Sequence, residues 1–315
     1  MAPPAPLLRI GFIGLALVWL AASAPIAGAQ SLPTENVTVS GQKLAPEEKL
    51  RDFIRGYTAR SGVGAKMARW KAGICPIVTG LPEAHSKFVI ERVRQVAGQV
   101  GAPVAAAGCK SNIDIVFTLH PQVLLDGIRK KHHVLLGYHD AAEEERLATV
   151  SHPVQAWYTT QTVDLQGSTS IDDKLRNHGG FYIDNPGGMQ YPPIFVPDAP
   201  AVHVTGSHLG DGLASELFHV VITVDLARVQ GQTVGALADY VAMLSLAQTQ
   251  AFETCEPVSS ITNLVSAGCD AGLNAGGVTA NDLAYLQALY RIDPRGSFAH
   301  QQGDLAYQMQ NAAKR

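Results

Sequence analysis

The chain has 315 residues, of which 46% are hydrophobic and 16% are charged, and its formal net charge at pH 7 is −3. This length suits one large domain or two small ones. Because the charge balance is mildly acidic, the chain has no general electrostatic attraction for nucleic acid or for an anionic membrane. We therefore expect no nucleic-acid partner.

The first 29 residues predict a cleavable signal peptide. Arg9 is the only charged residue among them, an apolar run follows at residues 10–22, and Ala27-Gly28-Ala29 is a cleavage site that leaves Gln30 first. A retained membrane anchor is the alternative, but a spanning helix needs roughly 20 apolar residues and this run is shorter. We expect a periplasmic or secreted protein with no membrane span after cleavage.

The rest of the chain contains four cysteines: Cys75, Cys109, Cys255 and Cys269. An even number favours disulfide bonds in an exported chain. Four cysteines allow three pairings, of which we favour the nearest-neighbour one, Cys75 with Cys109 and Cys255 with Cys269. A zinc cluster is the alternative, and the absence of any C-x-x-C spacing disfavours it.

The first half of the chain predicts alternating helices and strands. Residues 30–45 are polar and predict a disordered leader, and residues 46–60 have apolar side chains at helical spacing. Residues 67–79 form an apolar run typical of a strand, a second helix is predicted at residues 88–100, and a strand at residues 112–117. The order strand, helix, strand favours a crossover and a partly parallel sheet.

The second half predicts two strands followed by two helices. Residues 154–164 are rich in β-branched and aromatic side chains, and residues 217–225 are the most strand-like run of the chain. Between them, residues 177–200 combine glycines and prolines with aromatic residues, which predicts a long loop or flap. The helices are predicted at residues 234–250 and 278–291.

Three fragments near the C-terminus resemble metzincin zinc proteases, which carry H-E-x-x-H-x-x-G-x-x-H on a helix before a Met-turn and a C-terminal helix. Residues 238–248 (ADYVAMLSLAQ) look like that helix. Residues 260–263 (SITN) resemble the S-I-M-N of a Met-turn, with Thr262 in place of methionine. Residues 278–282 (VTAND) and 289–290 (LY) are similar to the matrixin-type C-terminal helix.

The resemblance covers roughly residues 72–291 and implies an α+β, zincin-like fold: a mixed twisted sheet with a long central helix and a C-terminal helix. It implies one metzincin-like domain at residues 46–315, with an N-terminal helix at residues 46–60, the sheet and a helix at residues 67–225, the degenerate active-site helix at residues 234–250 and the C-terminal helix at residues 278–291. An ordinary α+β core is the alternative, because each fragment alone suits any buried helix. In the C-terminal helix, Thr279 followed by Asp282 is a capping box with Asp in place of Glu.

The resemblance also implies that the zinc chemistry has been lost. Ala238, Ala242 and Gln248 stand at the three ligand positions, and Asp239 stands at the position of the general base. Alanine cannot ligate a metal, and glutamine is a poor zinc ligand compared with histidine. We therefore expect no cofactor, and Asp239 stays the one candidate catalytic residue of this helix.

A relocated metal site would need other ligands. The candidates are His203, His208 and His219, or else His132, His133 and His139 with Asp140. Neither set has a familiar zinc spacing, so scattered surface histidines are the simpler interpretation. Ser168 and Ser207 adjoin glycines, but the chain has no G-x-S-x-G elbow, and such serines usually mark turns.

Three hypotheses for the function follow. The first is a non-catalytic exported domain that binds a protein or cell-envelope component through the groove that an active metzincin uses for substrate. The candidate groove residues are Trp157, Tyr158, Phe181 and Tyr191, for which strand and loop packing is the alternative. The second is a secreted hydrolase or peptidase with a rearranged site built from Asp239 and the histidines. The third is a structural envelope protein without a groove.

Overall fold

The computed structural model of the protein describes residues 44–62, 64–137, 147–172, 180–183, 194–197, 204–205, 210–249 and 255–312, with the backbone alone at residues 132–134, 180–183 and 194–197. Every described residue belongs to one compact unit, Val39–Arg315. The predicted signal peptide and most of the predicted leader lie outside the described residues.

The described residues form an α+β fold with a mixed five-stranded sheet and six α-helices. The helices are Glu47–Tyr57 (α1), Glu83–Val100 (α2), Pro121–His132 (α3), Val234–Leu246 (α4), Ala280–Leu289 (α5) and Phe298–Ala312 (α6). The strands are Pro76–Thr79 (β1), Ile113–Thr118 (β2), Val154–Val163 (β3), Thr169–Ile171 (β4), Gly180–Ile183 (β5), Ile194–Pro197 (β6) and Ala214–Asp225 (β7). Two 3₁₀ turns, His133–Leu136 and Ile261–Val265, complete the set.

The five-stranded sheet has the order β1-β2-β7-β3-β4. β1, β2 and β7 are parallel, β3 is antiparallel to β7, and β4 is antiparallel to β3. The parallel pair β1–β2 is joined through α2, which is the connection predicted from the order strand, helix, strand. β5 and β6 form a separate antiparallel ribbon within the predicted loop at residues 177–200.

The first face of the sheet carries the main hydrophobic core. Residues of β2 alternate strictly, so that Ile113, Ile115 and Phe117 are buried on this face. The apolar side chains of β7 on the same face pack with them, and α2 and α4 cover the layer. α1, α5 and α6 extend the same core at one end of α4.

Among the described residues, only part of the second face of the sheet is covered by a helix. α3 and the 3₁₀ turn His133–Leu136 bury a small separate cluster made of Leu125, Leu136, Trp157 and Val221. The side chain of Gln122 fixes α3, because it donates to the Ala148 carbonyl at 2.8 Å and accepts from the Val150 N–H at 2.9 Å. Neither α3 nor α6 was predicted from the sequence.

The strand predicted at residues 67–79 is correct only at its end, where Pro76–Thr79 form β1. The preceding residues make isolated bridges at Arg69 and Ile74 instead of a strand. The reason is that this segment bonds to helix ends: Trp70 donates to the Ser245 carbonyl, and Arg69 donates to the carbonyls of Leu289 and Ile292.

The helices predicted at residues 88–100 and 234–250 differ from the structure at one end each. α2 begins at Glu83, after Pro82, rather than at residue 88. It ends at Val100 and is capped by Gly101, whose φ of 82° is the left-handed conformation that favours glycine. α4 ends at Leu246 rather than at residue 250, because Ala247 already has an extended backbone. The N-terminal helix, predicted at residues 46–60, ends at Tyr57, and the C-terminal helix, predicted at residues 278–291, spans Ala280–Leu289. β2 and β3 lie within one residue of their predicted bounds, and β7 begins at Ala214 rather than at residue 217.

The nearest-neighbour disulfide pairing is confirmed. Cys75 bonds to Cys109 and Cys255 bonds to Cys269, with Cα–Cα distances of 6.0 and 5.5 Å. Two disulfides fit a protein that matures in an oxidising compartment. Among the described residues, no helix is both long enough and apolar enough to span a membrane.

Candidate functional site

The helix that resembles the metzincin active-site helix, α4, is a core helix. Thr233 caps its N-terminus by accepting the Ala236 N–H, and every residue from Ala236 to Leu246 is buried. A helix that is buried on all sides presents no face to solvent. Ala238 and Ala242, at two of the expected ligand positions, are each 0% exposed.

Asp239, the candidate general base, is held in a buried ion pair. Its carboxylate contacts the guanidinium of Arg92 on α2, with 2.8 Å between Oδ2 and Nη2 and a second contact between Oδ1 and Nε. Oδ2 also accepts the Val278 N–H at 2.9 Å. Both oxygens are therefore occupied, and Asp239 fastens α4 to α2 and to the segment before α5.

The C-terminal end of α4 is closed by three aromatic side chains. The Tyr158 hydroxyl donates to the Leu244 carbonyl at 3.0 Å, Trp70 donates to Ser245, and the Tyr290 hydroxyl donates to Leu246 at 3.0 Å. These carbonyls have no partner within the helix, so the side chains satisfy acceptors that water would otherwise need to reach. In metzincins, the third zinc ligand lies beyond this end of the helix.

Gln248, at the third expected ligand position, lies just past α4 and is half-buried. Its side-chain oxygen is buried and has no hydrogen-bond partner among the described residues. Its neighbour Thr249 pairs with Thr58 and donates its hydroxyl to the Tyr57 carbonyl at 2.9 Å. The chain after α4 therefore continues along the end of α1.

The other two fragments of the resemblance are joined to one another. Asp282 of α5 accepts hydrogen bonds from the Ser260 hydroxyl, the Ile261 N–H and both donors of Thr279. The capping box predicted at Thr279 and Asp282 is confirmed. Burial raises the pKa of Asp282, and the four hydrogen bonds oppose that rise. Thr262, in place of the methionine, is itself buried.

The candidate groove residues Trp157 and Tyr158 do not share one surface. Trp157 lies in the small cluster under α3, where its indole donates to the Leu147 carbonyl at 2.9 Å. Tyr158 lies in the main core on the opposite face. Neighbouring residues of a strand point to opposite faces, and both side chains are buried. The side chain of Phe181 and all of Tyr191 lie outside the described residues.

His219 is the one candidate metal ligand whose side chain is described. Its Nε2 lies 3.0 Å from Oδ2 of Asp114 on β2, and Ser111 donates to the other oxygen of Asp114 at 2.6 Å. The hydrogen bond to His219 lowers the pKa of Asp114, as does the one from Ser111, and burial acts in the opposite direction. His219 and Asp114 could supply two metal ligands, which is fewer than a structural zinc site needs.

The other histidine candidates have no described side chains. His203, His208, His139 and Asp140 lie outside the described residues, and only the backbone is described at His132 and His133. Within the described ranges, no group of three His, Cys, Asp or Glu side chains is placed to hold a metal ion. Ser168 follows Gly167 in the turn between β3 and β4, where its N–H bonds to Asp164, and Ser207 lies outside the described ranges.

The part of the second sheet face that α3 leaves uncovered is the open sheet face, defined here by Ile77, Asp114, His219 and Phe218. Ile77 is 45% exposed and Phe218 is 43% exposed. Ile77 pairs with Asp114 across β1 and β2, and Phe218 is the extra residue at the bulge of β7, next to His219. The surface combines exposed apolar groups with a hydrogen-bonded His–Asp pair.

Two largely buried charged residues, Arg92 and Glu256, were not singled out from the sequence. Arg92 interrupts the apolar face of α2, between Val89 and Val93, and a charge at that spacing indicates a buried partner. Glu256 directly follows Cys255 and is 4% exposed, but no local pattern marks it as buried.

No protein-family model, no curated protein and no solved structure matches this chain. The resemblance to metzincins rests only on the three sequence fragments.

Proposed function

We propose that the protein is an exported, non-catalytic domain of metzincin-like build that binds a protein or a cell-envelope component. The observation that carries the proposal is the state of Asp239, whose two oxygens are taken by Arg92 and by the Val278 N–H. A general base must accept a proton from an activated water, and this carboxylate is turned away from solvent. Its side chain is 3% exposed.

The residues at the expected ligand positions support the same conclusion. Ala238 and Ala242 offer no donor atom and lie in close-packed surroundings. A zinc ion there would need three ligands within about 2 Å of the metal. The aromatic caps on Leu244, Ser245 and Leu246 fill the end of the helix with hydrogen bonds internal to the protein.

We propose the open sheet face as the binding surface. Exposed Ile77 and Phe218 supply apolar area, and the partly exposed Asp114–His219 pair supplies polar groups between them. Exposed apolar patches bordered by polar groups are characteristic of interaction sites on protein surfaces. The two disulfides support a location outside the cytoplasm, where such a partner would be met.

The absence of catalysis is tested by metal analysis. We expect purified protein to contain no stoichiometric zinc and to show no peptidase activity that chelation removes. One zinc per chain, lost on chelation together with peptidase activity, would contradict the proposal.

The binding surface is tested by site-specific photo-crosslinking in the producing cells. A photoreactive residue at position 218 is compared with one at Tyr307, which is 62% exposed on α6. We expect one discrete adduct from position 218, absent from position 307 and lost when Ile77→Asp is added. Identical adducts from both positions, or an adduct that survives Ile77→Asp, would rule out this surface.

The second candidate, a hydrolase with a rearranged site, has one favourable observation. Asp114 accepts a hydrogen bond from His219, as the acid of a catalytic triad orients its histidine. However, Ser111 bonds to Asp114 and not to His219, so no nucleophile among the described residues is activated by this histidine. A panel of ester and peptide substrates, with His219→Ala as control, tests it: activity that His219→Ala abolishes would favour the hydrolase.

A further inference from the structure

The parallel strands of the sheet are covered by helices on the first face but only in part on the second. α2 and α4 cover the first face. On the second face, α3 lies over β3 and β7, where Leu125 packs against Trp157 and Val221. Beside α3 the open sheet face is left exposed, with Ile77 at 45%. Parallel strands usually have helices on both faces, so there is room for one more helix beside α3.

α3 itself carries an exposed apolar side chain on the side that faces away from the sheet. Leu125 and Ile128 pack towards the sheet, and helical spacing places Val123, Lys130 and Lys131 on the opposite side. These last three residues define the outer face of α3. Val123 is 70% exposed, and both lysines are exposed without an ion-pair partner among the described residues.

The outer face of α3 is positively charged on balance. Arg129 adds a third exposed cation next to the two lysines, and Asp126 is the one acidic residue of the helix. Asp126 accepts a hydrogen bond from Gln122 of the same helix at 2.9 Å. The helix therefore presents an apolar side chain followed by a net positive charge.

The open sheet face carries the opposite charge. Asp114 is 34% exposed, and Glu216 of β7 is also partly exposed. Glu216 pairs with Gln161, which lies four residues after Trp157 on β3, so Glu216 lies on the second face as well. Glu216 accepts a hydrogen bond from Gln161 at 2.9 Å. Among the described residues, no lysine or arginine forms an ion pair with either carboxylate.

We propose that the protein forms a two-fold dimer in which α3 of each copy covers the open sheet face of the other; this rests on the binding surface proposed above and names its occupant. Each α3 takes up only part of its own second face, so two such faces can meet with the two helices side by side between the sheets. The outer face of α3 then packs on the exposed apolar side chains of the other copy, and its lysines meet the two carboxylates. Both halves of this match lie on one chain, which is the condition for a two-fold interface.

Sedimentation velocity of the purified protein over a range of concentrations tests the dimer. We expect a species of twice the mass of the chain. Two charge-reversed variants, Lys130→Glu with Lys131→Glu and Asp114→Lys with Glu216→Lys, each place like charges across the interface. In each we expect the dissociation constant of the dimer to rise about a hundredfold. An equimolar mixture of the two variants is expected to restore the dimer, because every acid then faces a base again.

The matched control reverses two exposed lysines of α1 and α2, which lie on the first face of the sheet. This variant, Lys49→Glu with Lys87→Glu, has the same change in net charge and is expected to remain dimeric. Should the Asp114→Lys chain fail to fold, Glu216→Lys alone, mixed with the α3 variant, carries the same expectation.

Three results would overturn the dimer: a monomeric wild type at every concentration, a dimer that survives both charge reversals, or a mixture of the two variants that stays monomeric. The binding function proposed above is measured separately by the photo-crosslinking at position 218. A monomeric protein whose position 218 forms an adduct with a different protein would overturn the dimer and leave that function standing. An adduct of twice the mass of the chain would support both.

Discussion

Asp239 of α4 and Arg92 of α2 form an ion pair in which the two side chains are only 3% and 12% exposed. Breaking a buried pair from one side leaves an uncompensated charge in the interior. We therefore expect Asp239→Ala to lower the free energy of unfolding by about 3–5 kcal/mol, measured by urea denaturation.

Asp52 provides the control for that experiment. It pairs with Arg55 on the surface of α1, where both side chains are largely exposed. Exposed pairs contribute at most about 1 kcal/mol. If Asp239→Ala and Asp52→Ala cost the same, Asp239 would not be the fastening between α4 and α2, and its availability for chemistry would have to be reconsidered.

Loss of the hydroxyl group is expected to change the free energy of unfolding differently at two buried tyrosines, because only Tyr158 caps the end of α4. Tyr158→Phe removes the donor to the Leu244 carbonyl and leaves that acceptor buried, which we expect to cost about 1–3 kcal/mol. Tyr57→Phe removes a buried hydroxyl that has no hydrogen-bond partner among the described residues, so we expect no loss of stability. Thermal or urea denaturation of both variants, side by side, measures the difference. A larger cost for Tyr57→Phe would contradict the assignment of Tyr158 as a cap.

The elements that depend on a few consecutive residues could be predicted from the sequence. Alternation in β2 and the capping box at Thr279 are properties of a few consecutive residues, and both are present in the structure. The nearest-neighbour disulfides also hold. What could not be predicted depends on contacts between distant residues: the end of α4 is fixed by Trp70, Tyr158 and Tyr290, from three separate segments.

The same distinction between local patterns and contacts between distant residues applies to the candidate site. The loss of ligands at Ala238 and Ala242 is visible in the sequence, since no fold changes what alanine can bind. The occupation of Asp239 by Arg92 joins residues 147 positions apart, and no spacing rule connects them. For Trp157 and Tyr158, alternation along a strand already predicts opposite faces, so a shared groove was the less natural interpretation of that pair.

The two disulfides are expected to contribute unequally. The loop-entropy model gives about 4 kcal/mol for the 34-residue separation of Cys75 and Cys109, and about 3 kcal/mol for the 14-residue separation of Cys255 and Cys269. Double serine variants of each pair, compared with the wild type by urea denaturation under oxidising conditions, measure these costs. A larger loss at Cys255 and Cys269 would mean that the disulfide orders the loop around Glu256 beyond its effect on the unfolded chain.

The Asp114–His219 pair predicts how stability changes in acid. The hydrogen bonds from His219 and Ser111 lower the pKa of Asp114 in the folded protein. A lowered pKa contributes stability that is present above the unfolded pKa, near 3.9, and is lost as pH falls through the folded pKa. Asp114→Asn is therefore expected to be less stable than the wild type at pH 6, and the difference should shrink as pH falls towards 2.

Urea denaturation of both proteins at several pH values between 2 and 6 measures this difference. His219→Gln is expected to weaken the same acid dependence, because it removes the larger of the two hydrogen-bond effects on Asp114. A difference between wild type and Asp114→Asn that stays constant over this range would show that Asp114 has the same pKa folded and unfolded. The His–Asp pair would then be an incidental surface contact, and the polar centre of the open sheet face would lose its physical basis.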